Sequence, residues 1–504
     1  MERVAVADMG SNSWRLVVYG YEPGTPWWSL VDEIREAVRV GAGMGEERLL
    51  RRERIDRALH TAAVFDAFCR ASHIDRVEAV ATSAIRDAHN GGELLDAIRA
   101  RTSLDPRVIS GHDEARYGYL AVVNSTTVED GFALEMGGGS IQTVRIARRS
   151  LAEVESLPLG SVSVSEQFLP GEKATKKGTK ALRKQVAADL EALGWWTGGG
   201  RLVGVGGTIR NLAAAAMKRL DLPDLDVQGF TLTRDALEDL IELLAARPAS
   251  KRGDVPGIKP DRGDVILGGA LVLAAALDTG GFDAVEVTEA GLREGIFFER
   301  LLGPGRLFED VRRASVENLA HRFNSDPDHV RHVAALSLAM FDGLRRAGMQ
   351  DLGPEERELL WAGCLLHDIG TAIDYDDHHR HSHYLILSAG LPGFSPREVV
   401  LIALIARYHR KGDPDASDLG DLARKGDGDR LRFLCGLIRL AEQLERSRDQ
   451  SVRAVSVGHG DGAIALEAQT DPRADASVGI WAARRNADLL AQALGRPVEI
   501  KAPA

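Results

Sequence analysis

The sequence predicts an α/β fold in which two lobes face one cleft, followed by a helical region. Three stretches in the first half of the chain support this prediction: VAVADMGSNSWRLVV at residues 4–18, FALEMGGGSIQTVRI at 132–146 and LVGVGGTIRNL at 202–212. In each stretch, a short apolar run typical of a β-strand ends in a glycine-rich polar turn. One such turn is weak evidence, but three in order indicate that both lobes contribute turns to a common ligand cleft.

The residue types in these turns are suited to binding phosphate. Gly10 lacks a Cβ, so the main chain can approach a ligand closely, and Ser11, Asn12 and Ser13 add hydroxyl, amide and main-chain N–H groups. Asp8, at the end of the first strand, offers the oxygen ligands that Mg²⁺ prefers. An ordinary surface hairpin remains the alternative for this stretch. The equivalent residues of the other two turns are Glu135, Gly138, Gly139 and Ser140, and then Gly206, Gly207 and Thr208.

Length and composition restrict the class of protein. A chain of 504 residues is too long for one core and suggests three or four domains. The net charge of −11 argues against nonspecific nucleic-acid binding. Three widely spaced cysteines favour reduced packing residues over disulfides. The sequence starts directly in a strand, and its longest apolar run, at 267–277, is far short of the ~20 residues that span a bilayer. We therefore expect a cytoplasmic protein without a membrane segment.

Six motifs together resemble the exopolyphosphatase / guanosine pentaphosphate phosphohydrolase family. They are DMGSNSWRL, ATSAIRDAHN at 81–90, ISGHDEARYGYLAV at 109–122, EMGGGS, GVGGT and GLREG at 291–295. The order of the glycine turns is also similar to that of the fold shared by acetate kinase, sugar kinases, heat-shock chaperones and actin. The resemblance implies actin-like lobes at 1–123 and 124–303 and an all-α HD-like domain at 304–452. The pattern of residues 453–504 is strand, loop, strand, helix, strand, which predicts a small α+β domain. Long members of the family are dimers, so a homodimer is expected.

The same resemblance implies roles for individual residues. Glu114 in HDEAR falls on the family's catalytic base, although an acid at a helix start can also be a plain dipole complement. Arg86 and Arg262 are expected to contact phosphate, because guanidinium groups suit it. Mg²⁺ is expected near Asp8 and Glu135. The family usually has aspartate at the position of Glu135 and glutamate at that of Gln142, which puts metal affinity or substrate preference in doubt.

Histidines concentrate in the helical region that follows the GPGR break at 303–306. Histidines around a His-Asp pair are typical of a metal site, and the pattern resembles the HD phosphohydrolase superfamily. The resemblance assigns His329, His367, Asp368 and the closing acid Glu442 to a metal, and His381 and His409 to a second metal, with Mn²⁺ or another divalent ion bound. The alternative is a relic motif in helices that serve dimerisation and shape a substrate channel.

These observations predict an Mg²⁺-dependent phosphohydrolase, in which Glu114 activates water. The substrate is expected to be inorganic polyphosphate or guanosine pentaphosphate, from which the enzyme releases the terminal phosphate. The basic run KATKKGTKALRK at 173–184 is either a solvated helix start or a rim that guides a polyanion. Two other functions stay open: a kinase of the same superfold, and a regulator that binds polyphosphate or the alarmone with weakened catalysis.

Overall fold

The computed structural model describes residues 1–45, 47–220, 222, 225–323, 326–459 and 462–502. The chain forms two compact units. The first comprises Met1–Leu220 and Val227–Val311, and the second comprises the described chain from Arg312 onward, with residues 222, 225 and 226. None of the helices in the described residues combines the length and apolar character needed to cross a bilayer.

The first sheet of unit 1 has the strand order β3-β2-β1-β4-β5. Strands β1 and β2 form an antiparallel hairpin, and β4 and β5 extend the sheet in parallel from β1. Residues 4–7 of β1 are all fully buried, which explains why this strand is apolar without alternation. The elements are β1 (Glu2–Met9), β2 (Trp14–Tyr21), β3 (Trp28–Glu36), α1 (Arg52–Ala71), β4 (Val77–Ala81), α2 (Ser83–Asp87), α3 (Gly91–Arg101), β5 (Arg107–Val108) and α4 (Gly111–Val123).

The second sheet of unit 1 repeats this arrangement, with the order β10-β11-β9-β6-β7-β8. The hairpin β6–β7 corresponds to β1–β2, and β9 pairs with β6 in parallel. Helix α9 is apolar on every side and almost wholly buried, as expected of a helix in the interior. The elements are β6 (Gly131–Met136), β7 (Ile141–Ala147), β8 (Ser150–Leu157), α5 (Ser161–Phe168), α6 (Lys176–Glu191), β9 (Leu202–Val205), α7 (Gly207–Arg219), β10 (Thr231–Thr233), α8 (Arg234–Ala245), α9 (Ile266–Gly280), β11 (Ala284–Val287) and α10 (Leu292–Leu302).

Helix α10 returns to the elements of the first sheet. The sequence assigned this helix to the second lobe, but it packs on α4, β1 and β2. The rings of Phe297 and Tyr19 stack with centroids 4.2 Å apart, and the Tyr19 hydroxyl donates to Glu294 at 2.7 Å. The last helix of this segment therefore joins the two sheets into one unit.

The second unit is mainly helical and ends with a small sheet of strand order β12-β13-β14. Its helices share one apolar core with the sheet. Capping residues fix helix starts: Ser395 and Glu398 form a capping box at α15, with Pro396 in the first turn. The elements are α11 (Val311–Arg322), α12 (Pro327–Arg346), α13 (Pro354–Leu366), α14 (His378–Ala389), α15 (Pro396–Tyr408), α16 (Asp427–Leu444), β12 (Val452–His459), β13 (Ile464–Thr470), α17 (Ser477–Arg484), α18 (Asp488–Leu494) and β14 (Val498–Lys501).

Candidate functional site

Four acidic residues of unit 1 line one cavity: Asp8, Glu114, Glu135 and Glu289. Asp8 lies near the end of β1, Glu114 in the first turn of α4, and Glu135 near the end of β6. Burial raises the pKa of Glu114 to about 7 and, together with the charges of Glu114 and Asp8, the pKa of Glu135 to about 8. Burial also raises the pKa of Asp8. Carboxyl groups that disfavour one another's ionisation fit a site for a hard divalent cation.

The carboxyl group of Glu135 fits only because the neighbouring helix has a glycine beside it. Its Oε1 accepts from the Leu292 main-chain N–H at 3.4 Å, while its Oε2 is buried without a hydrogen-bond partner among the described residues. Oε2 lies against Gly118 of α4, where a Cβ would overlap it. The longer side chain at position 135 therefore depends on a glycine across from it, and its unpartnered oxygen fits a cation ligand.

Arg86 is not among the residues that line this cavity, although the sequence assigned it to phosphate binding. Its Nη1 donates to Glu114 Oε2 and to the Ile109 carbonyl, both at 3.1 Å. The attraction of Arg86 opposes the effect of burial on the pKa of Glu114. In this structure Arg86 therefore holds the candidate base in place.

Four arginines line the cavity alongside the acids: Arg15, Arg210, Arg262 and Arg293. Only Arg262 was selected from the sequence. Burial and neighbouring guanidinium groups lower the pKa of Arg15 and of Arg262 to about 10. Arginines that repel one another in a buried cavity create a strong local attraction for anions. The acidic overall charge is thus compatible with a locally cationic cleft.

The glycine turns make close approach possible. A Cβ on Gly138 would lie 3.3 Å from Ser11 Cβ, so the two hairpin tips touch. A Cβ on Gly207 would lie 2.5 Å from Arg262 Nη2, and Gly206 has φ of 108°. Only glycine adopts such a backbone readily. Of the predicted turn residues, those that line the cavity are Gly10, Ser11, Asn12, Ser13, Gly138, Gly206 and Gly207.

Besides Arg86, three predicted phosphate-binding residues lie outside the cavity lining. Gly139 packs against Ser83, and Thr208 is buried in α7. Ser140 accepts from Gln142 Nε2 at 2.8 Å. The same amide donates to Ser156 at 3.3 Å, so Gln142 supports the hairpin behind the cavity. In this structure Gly139, Ser140 and Thr208 therefore contact packed neighbours and contribute to the shape of the turns.

A second cluster of ligand-type side chains lies in unit 2. Ligand atoms of His329, His367 and Asp368 lie within 4.8 Å of one another, and so do those of Asp368, His378 and His409. The two groups therefore share Asp368. All five side chains are buried. Glu442 joins the first group, with Oε2 3.0 Å from His329 Nε2 and 3.4 Å from His367 Nε2.

Main-chain carbonyls fix the orientation of three of these imidazoles. Nδ1 of His367 lies 2.6 Å from the Cys364 carbonyl, Nδ1 of His378 lies 2.8 Å from that of Tyr375, and Nδ1 of His409 lies 2.6 Å from that of Ala406. A carbonyl can only accept, so each Nδ1 carries a proton, and Nε2 is the ring atom left to face the cluster. The Nε2 atoms of His378 and His409 are 3.1 Å apart. At that distance either one ring donates a hydrogen bond to the other, or both lone pairs face a cation, and the second arrangement fits a metal centre.

The structure corrects one predicted ligand. His381 was assigned with His409 to the second metal, but it belongs to neither group, and its buried Nδ1 has no hydrogen-bond partner in the described residues. His378, three residues earlier on α14, takes that place. The other predicted members, His329, His367, Asp368, His409 and Glu442, lie together.

The fold and the cavity of unit 1 define a class: a two-lobed actin-like protein whose hairpin turns, acids and arginines face one cleft. Residues 17–303 match the model of the Ppx/GppA phosphatase family, and residues 311–469 match that of domain III of Ppx/GppA phosphatases. The chain belongs to the Ppx/GppA phosphatase family.

Solved structures agree with this assignment. The chain is 28% identical to the Aquifex aeolicus member of the Ppx/GppA family, with a TM-score of 0.52; the match covers 60% of this chain and 99% of that one. An exopolyphosphatase from Cytophaga hutchinsonii is 22% identical with a TM-score of 0.56, over 60% of this chain and 99% of that one. The second likeness supports the fold alone.

Proposed function

We propose that unit 1 hydrolyses the terminal phosphoanhydride bond of inorganic polyphosphate or guanosine pentaphosphate. The observation that carries the proposal is the pairing of a buried carboxyl group, Glu114, with four arginines around one cavity. Membership of the Ppx/GppA phosphatase family supports it.

The chain's own residues account for the steps of hydrolysis. Arg15, Arg262 and Arg293 bind and orient the phosphate chain, and the turns at 10–13 and 137–138 bring main-chain groups against its end. Glu114, held by Arg86, takes a proton from water as the water oxygen attacks the terminal phosphorus. The bridging P–O bond breaks, its electron pair stays on the shortened chain, and inorganic phosphate is released. A pKa near 7 suits a base that works at neutral pH.

Mg²⁺ is part of this proposal, and Asp8 and Glu135 are the residues that would hold it. When bound, Mg²⁺ would supply positive charge that offsets the charge of the phosphate oxygens. The convergence of Asp8, Glu114 and Glu135 on one cavity and the unpartnered Glu135 Oε2 support this assignment.

Glu114→Gln tests the catalytic role. The variant keeps the size of the side chain but loses the base, so phosphate release from polyphosphate should fall ~100- to 10,000-fold while polyphosphate still binds. Asp113→Asn is the matched control, because Asp113 is the adjacent acid of the same helical turn and does not belong to the cavity lining. A Glu114→Gln enzyme with most of its activity would refute the assignment.

The same assay separates the alternative functions. A kinase would transfer phosphate from ATP to an acceptor, whereas the proposed enzyme releases phosphate from polyphosphate alone. A regulator with weakened catalysis would bind polyphosphate or guanosine pentaphosphate tightly without releasing phosphate. We also propose a cytoplasmic homodimer, and light scattering of the purified chain tests the dimer.

For unit 2, we propose a centre for Mn²⁺ or another divalent metal at the two groups that share Asp368. The three carbonyl-oriented imidazoles support it. His378→Gln should remove bound metal measured by mass spectrometry after reloading with Mn²⁺, while His381→Gln on the same helix should not. Equal metal content in wild type and His378→Gln would contradict the proposed ligand set.

A further inference from the structure

The proposed metal ligands of unit 2 line an open cavity. Asp368, His378, His409 and Glu442 line a cavity of about 720 Å³. Pockets for small organic ligands have volumes of roughly 300–1,000 Å³. The cavity is therefore large enough for a ligand with a ring system, well beyond a metal ion and its water.

The walls of this cavity are cationic. Arg410, Arg446, Arg448 and Arg485 contribute to its lining. Arg448 Nη2 donates to Asp368 Oδ2 at 2.7 Å, so one of these guanidinium groups directly contacts the ligand cluster. Arginines next to proposed metal ligands are suited to binding phosphate, because a guanidinium group can donate two hydrogen bonds to phosphate oxygens.

Two exposed aromatic rings stand beside these arginines. Trp481 is 61% exposed and Tyr375 is 55% exposed, and both line the cavity. The Arg485 guanidinium lies 5.3 Å from the centroid of the Trp481 ring, and that of Arg410 lies 5.4 Å from the Tyr375 ring. Large exposed rings in a cationic pocket are suited to stacking on a nucleobase, with cations placed for its phosphate.

From these three features we propose that the unit 2 cavity is a nucleotide site: the phosphate lies toward Asp368 and the arginines, and the base stacks on Trp481. The proposal rests on the metal centre proposed above and is independent of hydrolysis in unit 1.

The test is calorimetric binding of GMP to the full chain loaded with Mn²⁺, with ribose 5-phosphate as the probe that lacks a base. Trp481→Ala should weaken GMP binding roughly tenfold and leave ribose 5-phosphate binding unchanged, because it removes only the stacking surface. Arg485→Gln should weaken the binding of both probes. The control Arg346→Gln removes an exposed arginine of α12 that is not in the cavity lining, and should change neither.

Several outcomes would overturn the proposal. Equal affinity for GMP and ribose 5-phosphate would exclude base stacking. Unchanged GMP binding in Trp481→Ala and Arg485→Gln would exclude this cavity as the site. Absence of GMP binding at millimolar concentration would also exclude it. Loss of GMP binding in Arg262→Gln would place the nucleotide in unit 1. Polyphosphate hydrolysis by Trp481→Ala should equal that of wild type, so failure of the nucleotide site and failure of the unit 1 proposal are distinguishable.

Discussion

Gly118→Ala should disturb the candidate cation site through one side chain. A Cβ at position 118 would overlap Glu135 Oε2 and lie 3.4 Å from Glu135 Cδ. Oε2 of Glu135 is buried, and the other oxygen accepts from the Leu292 N–H, so the carboxyl group has little room to move. The methyl group must therefore displace a carboxylate that we assign to Mg²⁺.

The expected energies follow from two opposing effects. Overpacking a buried site costs about 1–3 kcal/mol, while replacing a helix-interior glycine by alanine gains about 1 kcal/mol. The free energy of unfolding should thus fall by about 0–2 kcal/mol in Gly118→Ala. Glu135→Asp shortens the side chain by one bond of about 1.5 Å, which removes the overlap. In Gly118→Ala/Glu135→Asp the helical gain should remain, giving a favourable coupling of about 1–3 kcal/mol.

Two measurements check this reasoning on the four proteins of the cycle. Urea unfolding gives the coupling energy, and phosphate release from polyphosphate across a Mg²⁺ titration gives the metal requirement. Gly118→Ala alone should need more Mg²⁺ for half-maximal activity, and the double variant should return toward wild type. Additivity of the two unfolding free energies within about 0.5 kcal/mol would refute the proposed contact.

Two further predictions concern charge. Asp427 accepts from Arg397 at 2.5 Å in a buried pair, so Arg397→Met should destabilise unit 2 by about 3–5 kcal/mol, whereas Arg473→Gln at an exposed ion pair should change stability by less than about 1 kcal/mol. Burial opposes ionisation of Asp427, but the hydrogen bond from Arg397 prevails and keeps the pKa of Asp427 low. The ion pair should therefore stabilise unit 2 at pH values above the unfolded-state pKa of ~3.9, and this stabilisation should be lost as the pH falls below that value. Acid unfolding of wild type and Arg397→Met would measure the difference. Arg262→Gln should raise the KM for polyphosphate and reduce its dependence on salt, while Lys177→Gln on the exposed basic run should do neither; equal salt dependence in all three proteins would contradict a role for Arg262 in anion binding.

The strands and turns of unit 1 could be predicted because their signals are local. The apolar run at 4–7 gives a buried strand, and the glycine that follows permits the turn. The β-prone run at 77–81 likewise predicts a strand, and β4 has these bounds. Helix ends are less accurate: the pattern at 482–494 predicts one helix, but the structure ends α17 at Arg484 and begins α18 at Asp488. Apolar periodicity continues across such a short break, so the sequence does not reveal it.

The cationic side of the cleft was largely missed for a different reason. Arg15 lies on β2, Arg210 on α7 and Arg293 on α10, and only the fold brings these elements to one cavity. Each arginine lies in or beside a motif that had been recognised for its glycines. Arg86 shows the converse limit of residue type: it was selected as suited to phosphate, and in this structure it donates to a carboxylate of its own chain.

His381 was assigned to the cluster because the sequence does not determine which face of α14 each histidine occupies. Four histidines fall within residues 378–383, and the sequence alone does not determine which of them faces the cluster. The carbonyl contacts supply the missing criterion. His367 and His409 are the C-cap residues of α13 and α15, where carbonyls of the last turn lack helical partners and can accept from Nδ1 three residues later. His378 begins α14 and contacts the Tyr375 carbonyl in the same spacing. His381 lies inside α14, where the preceding carbonyls accept helical N–H groups, so its ring lacks the contact that orients a metal ligand.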